Sequence, residues 1–477
     1  MILWIVLGLL ITVILVVLAR TLAFRPMPEA QVDSAPEEVD EAKAIADLQA
    51  LIRCKTVSYR DKSLEDEAEF AKLEALLPQL FPHVHETCAF VKPGPRSLLF
   101  HWKGHSDAKP GVLMAHYDVV PVNQDAWSKP AFEALLEGGV LWGRGTLDTK
   151  GTLLGVLEAA DTLIARGFTP ANDLYLAFAG DEEISGDGAP TIVRWLTAHG
   201  VKPAFVLDEG GAVVQNVFPG VAQPCAVVGT GEKGPMDVKL TMSTAGGHAS
   251  TPPAHTPVGV LAQAVARVEA HPFPFTLTAP AAQMFDTLGR RSTFLYRMIF
   301  ANLWCFKPAL NLLCKKSGGE LNALVRTTVA FTQMQGSAAS NVLPPNAWVG
   351  ANLRLIGNET VESAQAYLRR VISDDRVKVE LVQGMNPSPI SRTDGEPFAR
   401  LSQAIRATWA DAVVTPYMML ACSDSRHYGQ ISDHVYRFSA MALSKEERGL
   451  IHANDERVPV ATITKTVAFY QRLIKLC

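Results

Sequence analysis

The stretch "NDLYLAFAGDEEISG", from Asn172 to Gly186, indicates the fold class of this 477-residue chain. It opens with a short apolar run that has the length and composition of a buried strand, and three consecutive acids follow. A helical pattern ending at Gly167 precedes the run, and another ending at Gly200 follows it. A buried strand between two helices is typical of a mostly parallel sheet with helices on both faces.

The same alternation surrounds this stretch. The strand-like runs "SLLFHWKG" and "GVLMAHYDVV" precede it, and "PAFVLDEGG" follows it. Near Glu232 the strands begin to alternate apolar and polar residues, as in "GPMDVKLTMSTA", which suits a sheet with one face in water. We therefore predict an α/β fold. A mixed, mostly parallel sheet domain takes 41–231 and 386–477, and a smaller α+β sandwich, inserted as a lid or dimerisation domain, takes 232–385.

The N-terminus is a separate element. Its first 19 residues, "MILWIVLGLLITVILVVLA", carry no charged side chain, and a helix of that length spans about 28 Å, close to the ~30 Å of bilayer hydrocarbon. No basic residue precedes the apolar run, which favours an uncleaved transmembrane anchor over 1–24 rather than a signal peptide. The Pro-rich, acidic segment 25–40 is predicted to be a linker. Arg20 and Arg25 point to a cytoplasmic body under the positive-inside rule.

Composition narrows the classes of function. A net charge of −4 without a basic patch argues against a nucleic-acid partner. With 48% hydrophobic and 19% charged residues, the chain can bury a large core and is not disordered in bulk. The seven cysteines are scattered without a CxxC pair, which predicts free thiols rather than a disulfide framework.

Histidines and carboxylates follow the strand-like runs of the first domain. The carboxyl ends of parallel strands share one edge of a sheet, so these side chains are expected to converge there. They are His116, Asp118, Asp148, Glu182, Glu183, Asp208 and His452. Imidazole and carboxylate ligands suit zinc, and crowded carboxylates stay ionised beside divalent cations. Taken singly, each motif could be structural; together they predict a hydrolytic centre with two metal ions bridged by one carboxylate.

Five motifs carry a resemblance to a known family: "HYDVVPV", "LWGRGTLDTKG", "GDEEISG", "LDEGG" and "GGHASTPP". From about Leu48 to the C-terminus, the chain resembles the dizinc carboxypeptidase and aminoacylase family, and most of all its carboxypeptidase S branch. That branch also contains the N-fatty-acyl-amino-acid synthase/hydrolases. The resemblance implies a zinc-dependent hydrolase that cleaves an amide bond next to a free carboxylate, in a small peptide or an N-acyl amino acid. The alternatives are a fatty-acyl amino acid synthase/hydrolase acting in both directions and, remotely, a non-catalytic membrane scaffold.

The same resemblance implies two zinc ions per chain and five ligands. His116 and Asp208 are implied to hold one ion. Glu183 and His452 are implied to hold the other, and Asp148 is implied to bridge the two. Family members often have a cis peptide bond after the bridging aspartate, here Asp148–Thr149.

Three further acids near these ligands have separate expectations. Glu182 is implied to be the general base that activates the attacking water. Asp118 is implied to orient the His116 ring. Asp181 is expected to be structural and exposed.

The inserted segment supplies the implied substrate contacts. His248, in "GGHAS", matches an oxyanion donor that often reaches the site of a neighbouring subunit, which implies a homodimer through the lid domain. Asn341 and Arg354 have the family's spacing of thirteen, although Asn352 stands where the family often has aspartate. Arg426, in "CSDSRHYG", resembles the residue that pairs with the substrate carboxylate.

Residues 292–316 form an apolar segment within the insert. Arg297, Asn302 and Pro308 interrupt it, so a second transmembrane helix is not expected. We predict a buried helix pair; the alternative is an apolar lip for an acyl chain or for a membrane surface. Resemblance to the carboxypeptidase S branch favours an extracytoplasmic body, against the two N-terminal arginines, and we adopt the extracytoplasmic orientation.

Overall fold

The computed structural model describes residues 1–27, 32, 34–216 and 218–477. The predicted linker at 25–40 therefore lies partly outside the described residues, at 28–31 and 33. The helices in the described part are α1 (Ile2–Ala23), α2 (Glu41–Ile52), α3 (Glu67–Leu80), α4 (Pro82–Thr87), α5 (Lys150–Ala165), α6 (Gly188–Ala198), α7 (Pro257–Ala270), α8 (Ala279–Arg291), α9 (Phe294–Ala301), α10 (Leu303–Ser317), α11 (Gly319–Ala323), α12 (Val361–Ile372), α13 (Glu396–Thr408), α14 (Lys445–Arg448) and α15 (Val460–Lys475).

The strands form four sheets within those residues. They are β1 (Ala89–Gly94), β2 (Ser97–Trp102), β3 (Ser106–His116), β4 (Leu135–Glu137), β5 (Val140–Trp142), β6 (Asn172–Ala179), β7 (Phe205–Asp208), β8 (Val213–Val214), β9 (Cys225–Glu232), β10 (Gly234–Ser243), β11 (Gly247–His248), β12 (Thr328–Gln335), β13 (Val342–Leu343), β14 (Asn346–Leu355), β15 (Lys378–Gly384), β16 (Val413–Met419), β17 (Val435–Arg437), β18 (Ala442–Leu443) and β19 (Arg457–Pro459).

The largest sheet has ten strands in the order β1-β2-β6-β3-β7-β17-β9-β8-β18, with β16 also paired to β9. Its centre, β6-β3-β7-β17, is parallel, whereas β1, β2 and β6 pair antiparallel. On β6, Leu176 and Phe178 face a core shared with α5 and α15, while Tyr175 and Ala177 face the core under α6. Successive strand residues point to opposite faces, so a strand covered on both sides needs a continuous apolar run. The predicted mixed, mostly parallel sheet is confirmed.

A second, antiparallel sheet has the order β12-β14-β10-β15 and lies within the segment predicted as the inserted sandwich. On β10, Met236, Val238, Leu240 and Met242 are buried and alternate with partly exposed residues. The buried set packs against α7 and α12, which cover one face of this sheet. The period of two in the sequence therefore reflects one covered face and one open face.

The apolar segment 292–316 forms α9 and α10, with a break at Asn302. The expectation of a buried pair is wrong for much of its surface, because Leu295, Trp304 and Leu312 are 61%, 57% and 68% exposed. Each helix buries only a narrow stripe, such as Phe300 on α9. Apolar composition alone did not indicate what covers the remaining faces.

Helix α1 is exposed over most of its 22 residues, with Val17 and Thr21 buried. Its length and mean hydropathy of 3.2 suit a membrane span. The end of this helix rests on α9, where the Asn302 amide donates to the Val17 carbonyl at 3.2 Å and to Thr21 Oγ1 at 3.2 Å.

Candidate metal centre

The centre lies at one edge of the large sheet. Strand β3 ends at His116, opposite Ala179 at the end of β6, and β7 ends at Asp208 on the other side of β3. Parallel pairing brings the three segments that follow these strands together. Asp148 comes from the turn before α5, and His452 comes from the loop between α14 and β19.

Asp148 lies between the two histidines. Its Oδ1 is 3.0 Å from His116 Nε2, and its Oδ2 is 3.0 Å from His452 Nε2. Two ligands of one tetrahedral zinc ion lie about 3.3 Å apart, because each is roughly 2.0–2.1 Å from the metal. One carboxylate is thus placed to serve two ions. The expected cis peptide bond at Asp148–Thr149 is present.

The His452 side of the centre contains Glu183. Glu183 Oε2 is 3.0 Å from His452 Nε2, and its other oxygen, Oε1, is buried without a hydrogen-bond partner among the described residues. A buried carboxylate oxygen without a partner is costly, and a divalent cation would satisfy it. This unpaired oxygen indicates that the pocket fits a metal ion.

The His116 side differs from expectation. Glu209 Oε1 lies 3.4 Å from His116 Nε2, and Glu182 Oε2 lies 3.9 Å from it. One oxygen of Asp208 is already bonded, since its Oδ2 accepts a hydrogen bond from the Ser425 backbone N–H at 2.9 Å, while the carboxylate still interacts electrostatically with His116. The ligand role of Asp208 stays a prediction, and the geometry favours its neighbour Glu209, which sequence reasoning missed.

Asp118 is hydrogen-bonded to several groups of the centre. Its Oδ1 accepts from the Glu182 N–H at 3.1 Å, and its Oδ2 accepts from the Glu183 N–H at 3.2 Å and from the Ser58 hydroxyl at 2.6 Å. Its Oδ1 is also 3.2 Å from His116 Nδ1. This fully buried side chain therefore fixes both the histidine ring and the turn that carries the two glutamates.

Asp181 is buried, so its expected exposure is wrong. Its carboxylate accepts hydrogen bonds from the N–H groups of Asp187 and Gly188 at the start of α6. Burial and the nearby Asp118 raise the pKa of Asp181 to about 6. The residue is structural, as expected, because it holds the helix that follows the acidic turn.

The acidic side chains of the centre are close together and buried, and their pKa values are shifted strongly. Burial raises the pKa of Glu182 well above its ordinary value, and the neighbouring Glu209 and Asp424 add to this against the opposing effect of His116. Burial and Asp148 raise the pKa of Glu209 to about 8. Divalent cations reverse such shifts by stabilising the ionised carboxylates. The ligand types and the unpaired Glu183 oxygen both fit zinc.

The predicted substrate residues form two separate groups. Arg354 Nη1 is 3.3 Å from Cys422 Sγ, which also contacts the Arg426 guanidinium. Arg426 Nη1 is buried and has no hydrogen-bond partner among the described residues. His248 and Asn341 instead lie together on the exposed β11–β13 pair, and the described residues give His248 no hydrogen bond or ion pair with the metal centre.

Comparison with known proteins identifies the group to which this chain is related. The profile of peptidase family M20/M25/M40 matches residues 112–476. The chain belongs to this family. It is therefore a metallohydrolase of amide bonds that works with two metal ions.

Relatives of this M20/M25/M40 peptidase match over nearly the whole chain. A probable carboxypeptidase S-like protein of Dictyostelium discoideum is 34% identical, with 98% of this chain and 92% of that protein covered. An N-fatty-acyl-amino acid synthase/hydrolase of Xenopus tropicalis is 36% identical, with coverages of 92% and 86%. A dinuclear metal-binding peptidase of Bacillus subtilis has the same fold, with a TM-score of 0.56, 12% identity, and 91% and 98% of the two chains covered.

A buried ion pair supports the metal ligands of this peptidase. Arg144 Nη1 lies 2.5 Å from Glu456 Oε2, and the other Glu456 oxygen accepts from the N–H groups of Leu147 and Asp148. Arg144 Nη2 donates to the His452 carbonyl at 3.4 Å. The pair joins the loops that carry Asp148 and His452. Sequence reasoning missed it, because 312 positions separate the partners.

Proposed function

We propose that this peptidase hydrolyses N-acyl amino acids whose acyl group is long and apolar. The observation that carries the proposal is a mostly apolar cavity of about 200 Å³ whose wall includes Gly210, the residue after Glu209. Its lining includes Phe218, Met284, Leu288, Leu321, Leu324 and Tyr417. Two of these side chains come from α8, and two come from the segment around α11.

Two residues that line the cavity are close in sequence to residues of the metal centre. Gly210, on its wall, directly follows Glu209, whose carboxylate lies beside His116. Arg448, at another wall, is four residues before His452 in the chain. The cavity is thus lined by residues close in sequence to both Glu209 and His452. An amide at the centre could place an apolar tail there, with a gain of about 0.8 kcal/mol per buried methylene.

In this proposal, His116 and Glu209 would hold one zinc ion, Glu183 and His452 would hold the other, and Asp148 would serve both. When bound, the ion pair supplies Lewis acidity, which lowers the pKa of water and polarises an amide carbonyl. Asp118 acts as a positioning residue, since its contacts are with the His116 ring and with the backbone of the glutamate turn.

Glu182 is proposed as the general base. Its carboxylate is part-buried at the centre, with Oε2 3.9 Å from His116 Nε2, where it can reach a water held between the metal ligands. It would take a proton from the attacking water and return it to the departing amide nitrogen. The proton then leaves with the free amino acid.

Arg426 is proposed to bind the substrate carboxylate. Its partnerless Nη1 is a buried donor that a carboxylate oxygen would satisfy, and Arg354 approaches the same Cys422 thiol from the second sheet. We further propose that 232–385 is a lid and dimerisation domain whose His248 and Asn341 serve the oxyanion, and that α1 anchors an extracytoplasmic body. Reversal of the same steps would condense an acid with an amine, as the name of the Xenopus relative states.

The test compares kcat/KM for N-acetyl and long-chain N-acyl derivatives of one amino acid, and for small dipeptides. Leu288→Trp should fill the cavity and lower kcat/KM for the long-chain substrate by about tenfold or more, with little change for the acetyl substrate. Leu64→Trp, at a surface side chain that is 61% exposed, is the matched control. Efficient dipeptide hydrolysis with no gain from a long acyl chain would contradict the proposal.

A further inference from the structure

The exposed side of α9 and α10 is an unusual surface for the body of this enzyme. Phe294, Leu295, Trp304, Leu312 and Leu313 are between 52% and 68% exposed. Large exposed apolar patches mark contact with another apolar phase or partner. The described residues provide no cover for these side chains, so the question is what they contact.

Helix α1 defines where this patch lies. Besides the Asn302 contacts, Arg20 donates from Nε and Nη2 to the Ala301 carbonyl at 3.2 and 3.1 Å. Phe24, just after the helix, lies 4.4 Å beneath the Arg290 guanidinium of α8. The C-terminal end of α1 is therefore fixed to α8 and α9 by hydrogen bonds and a cation–π contact, and is not joined to them only through the chain.

Distances along the helices place the patch at the end of the span. Thr21 is two residues before the end of α1 at Ala23, about 3 Å along the helix axis at 1.5 Å per residue. Trp304 is two residues beyond Asn302, and its Nε1 is 3.3 Å from the Asn302 Oδ1. A span that begins at Ile2 leaves the hydrocarbon near Thr21, so the tryptophan lies at the depth where indole rings are enriched.

The chain segment that forms the patch carries charges of one sign, although Arg290 at its start is paired with Asp286. Between Asp286 and Glu320 the sequence has no acidic residue. The same segment carries six basic residues: Arg290, Arg291, Arg297, Lys307, Lys315 and Lys316. Basic and aromatic side chains beside an apolar face are typical of helices that lie in the headgroup region of anionic bilayers.

We propose that α9 and α10 form a bilayer-contacting surface, embedded in the leaflet at which α1 ends. The proposal rests on the proposed role of α1 as a membrane anchor. The apolar side chains enter the boundary between headgroups and acyl chains, about 5–10 Å deep, while the lysines stay among anionic headgroups. The body is thus held against the membrane on its α8–α10 side and does not swing on a linker.

The test uses the full chain in vesicles of phosphatidylcholine and phosphatidylserine. All seven cysteines are in the described part of the chain, and only Cys305, on α10, is exposed. A fluorophore at Cys305 should be quenched by nitroxide-labelled lipid and protected from aqueous iodide. The control carries Cys305→Ser and a fluorophore at Leu64→Cys, near Arg96 and β2. Helix α8, which packs against α9, also contacts β9, and five strand spacings, about 24 Å, separate β9 from β2. The control fluorophore should therefore be quenched by iodide and not by the nitroxide-labelled lipid.

A triple substitution separates this surface from the anchor. Leu295→Glu, Trp304→Glu and Leu312→Glu together should abolish lipid quenching at Cys305, although α1 still carries the protein to the top of a flotation gradient. Leu64→Glu, the matched control, should leave the quenching unchanged.

Three outcomes would overturn the proposal. A Cys305 label that floats with vesicles but is quenched by iodide would show a tethered body with a free α10. A label protected from both quenchers would show that protein covers the patch. Failure of the wild-type chain to float would remove the anchor as well. Hydrolysis of a soluble acyl amino acid, measured in detergent on the same samples, reports separately on the proposed enzyme function.

Discussion

At the residue scale, Asp208 and Glu209 are adjacent acids with different partners. The first accepts from the Ser425 N–H, and the second lies 3.4 Å from the ring nitrogen of His116. Strand β7 ends at Asp208, so Glu209 lies just beyond the strand, and both carboxylates interact electrostatically with His116. The short distance from His116 makes Glu209 the ligand that the proposed function adopts.

Metal analysis of two conservative variants tests this selection. Glu209→Gln should retain about one zinc ion after dialysis, because a neutral amide is a poor zinc ligand. Asp208→Asn, the matched control one position away, should retain both ions. Elemental analysis of the purified proteins gives the metal-to-protein ratio. Loss of zinc from Asp208→Asn, with none from Glu209→Gln, would restore Asp208 as the ligand.

The sequence predicted that most residues of this centre lie close together, because they follow strands whose ends share one edge of the sheet. The positions of His116, Asp148, Glu183 and His452 around one point agree with that expectation. By resemblance the sequence assigned Asp208 rather than Glu209, and the residue pattern alone gives no reason to prefer either. Both are carboxylates, and the choice depends on where β7 ends, a boundary that sequence patterns leave uncertain by a few residues.

At the element scale, the connection between the two large sheets contains a buried lysine. Lys233 is the single residue between β9 and β10, and its Nζ donates to the carbonyls of Ala323 and Arg326 at 3.1 and 3.0 Å. Burial, with a contribution from the nearby Arg354, lowers the pKa of Lys233 to about 7. The unfolded chain has the ordinary value of 10.5.

This shift predicts a pH-dependent stability. Below pH 7 both states hold the proton, and the folded state bears the full cost of a buried charge. Between pH 7 and 10.5 the unfolded state binds more protons, so the free energy of unfolding rises with pH by up to about 1.4 kcal/mol per unit. Urea unfolding of Lys233→Met should lack this contribution, whereas the exposed-site control Lys378→Met should keep it. Equal slopes in all three proteins would contradict the assignment.

Helices and strands of the inserted segment followed closely from periodicity. The alternation in "GPMDVKLTMSTA" corresponds to β10, and the helical pattern "TVESAQAYLRRVIS" corresponds to α12. The exposure of α9 and α10 did not follow, because periodicity shows which side chains are apolar and not what they contact. The sequence of the chain does not specify the membrane or protein surface that contacts that face.

At the scale of the whole molecule, the proposed catalytic groups lie in two places. His248 is exposed on β11, and its ring nitrogen Nδ1 pairs with the Ser250 hydroxyl at 2.7 Å. If His248 serves the metal centre of a partner chain, its side chain is expected to be exposed when a single chain is viewed without that partner. This geometry is compatible with the homodimer that the sequence resemblance implies.

Complementation tests the shared site. His248→Ala and Glu182→Gln should each be nearly inactive alone, by about 10²–10⁴-fold, and each should keep two zinc ions. Coexpressed in equal amounts, they should regain about a quarter of wild-type activity, because half of the dimers are mixed and each mixed dimer has one intact site. No recovery in a demonstrated mixed dimer would place His248 in its own chain's site. Zinc loss from Glu182→Gln would contradict its role as a base.

The fold class was predictable because each βα unit contains its own signal: an apolar run, a turn and an amphipathic helix. Long-range pairs were not. Arg144 and Glu456 are far apart in the chain, and each alone resembles an ordinary charged loop residue. Only the assembled fold shows that they support both loops of the metal centre.

The contacts between α1 and α9 also bear on proteolytic release. A cut in the segment 28–40 would break the chain, yet Asn302 would still donate to Val17 and Thr21, and Arg20 would still donate to Ala301. Release of the soluble body would have to break all of these hydrogen bonds, and would leave the Asn302 amide with the Met298 carbonyl of its own helix as its remaining acceptor. Nicking and shedding are therefore expected to be two distinct events in this protein.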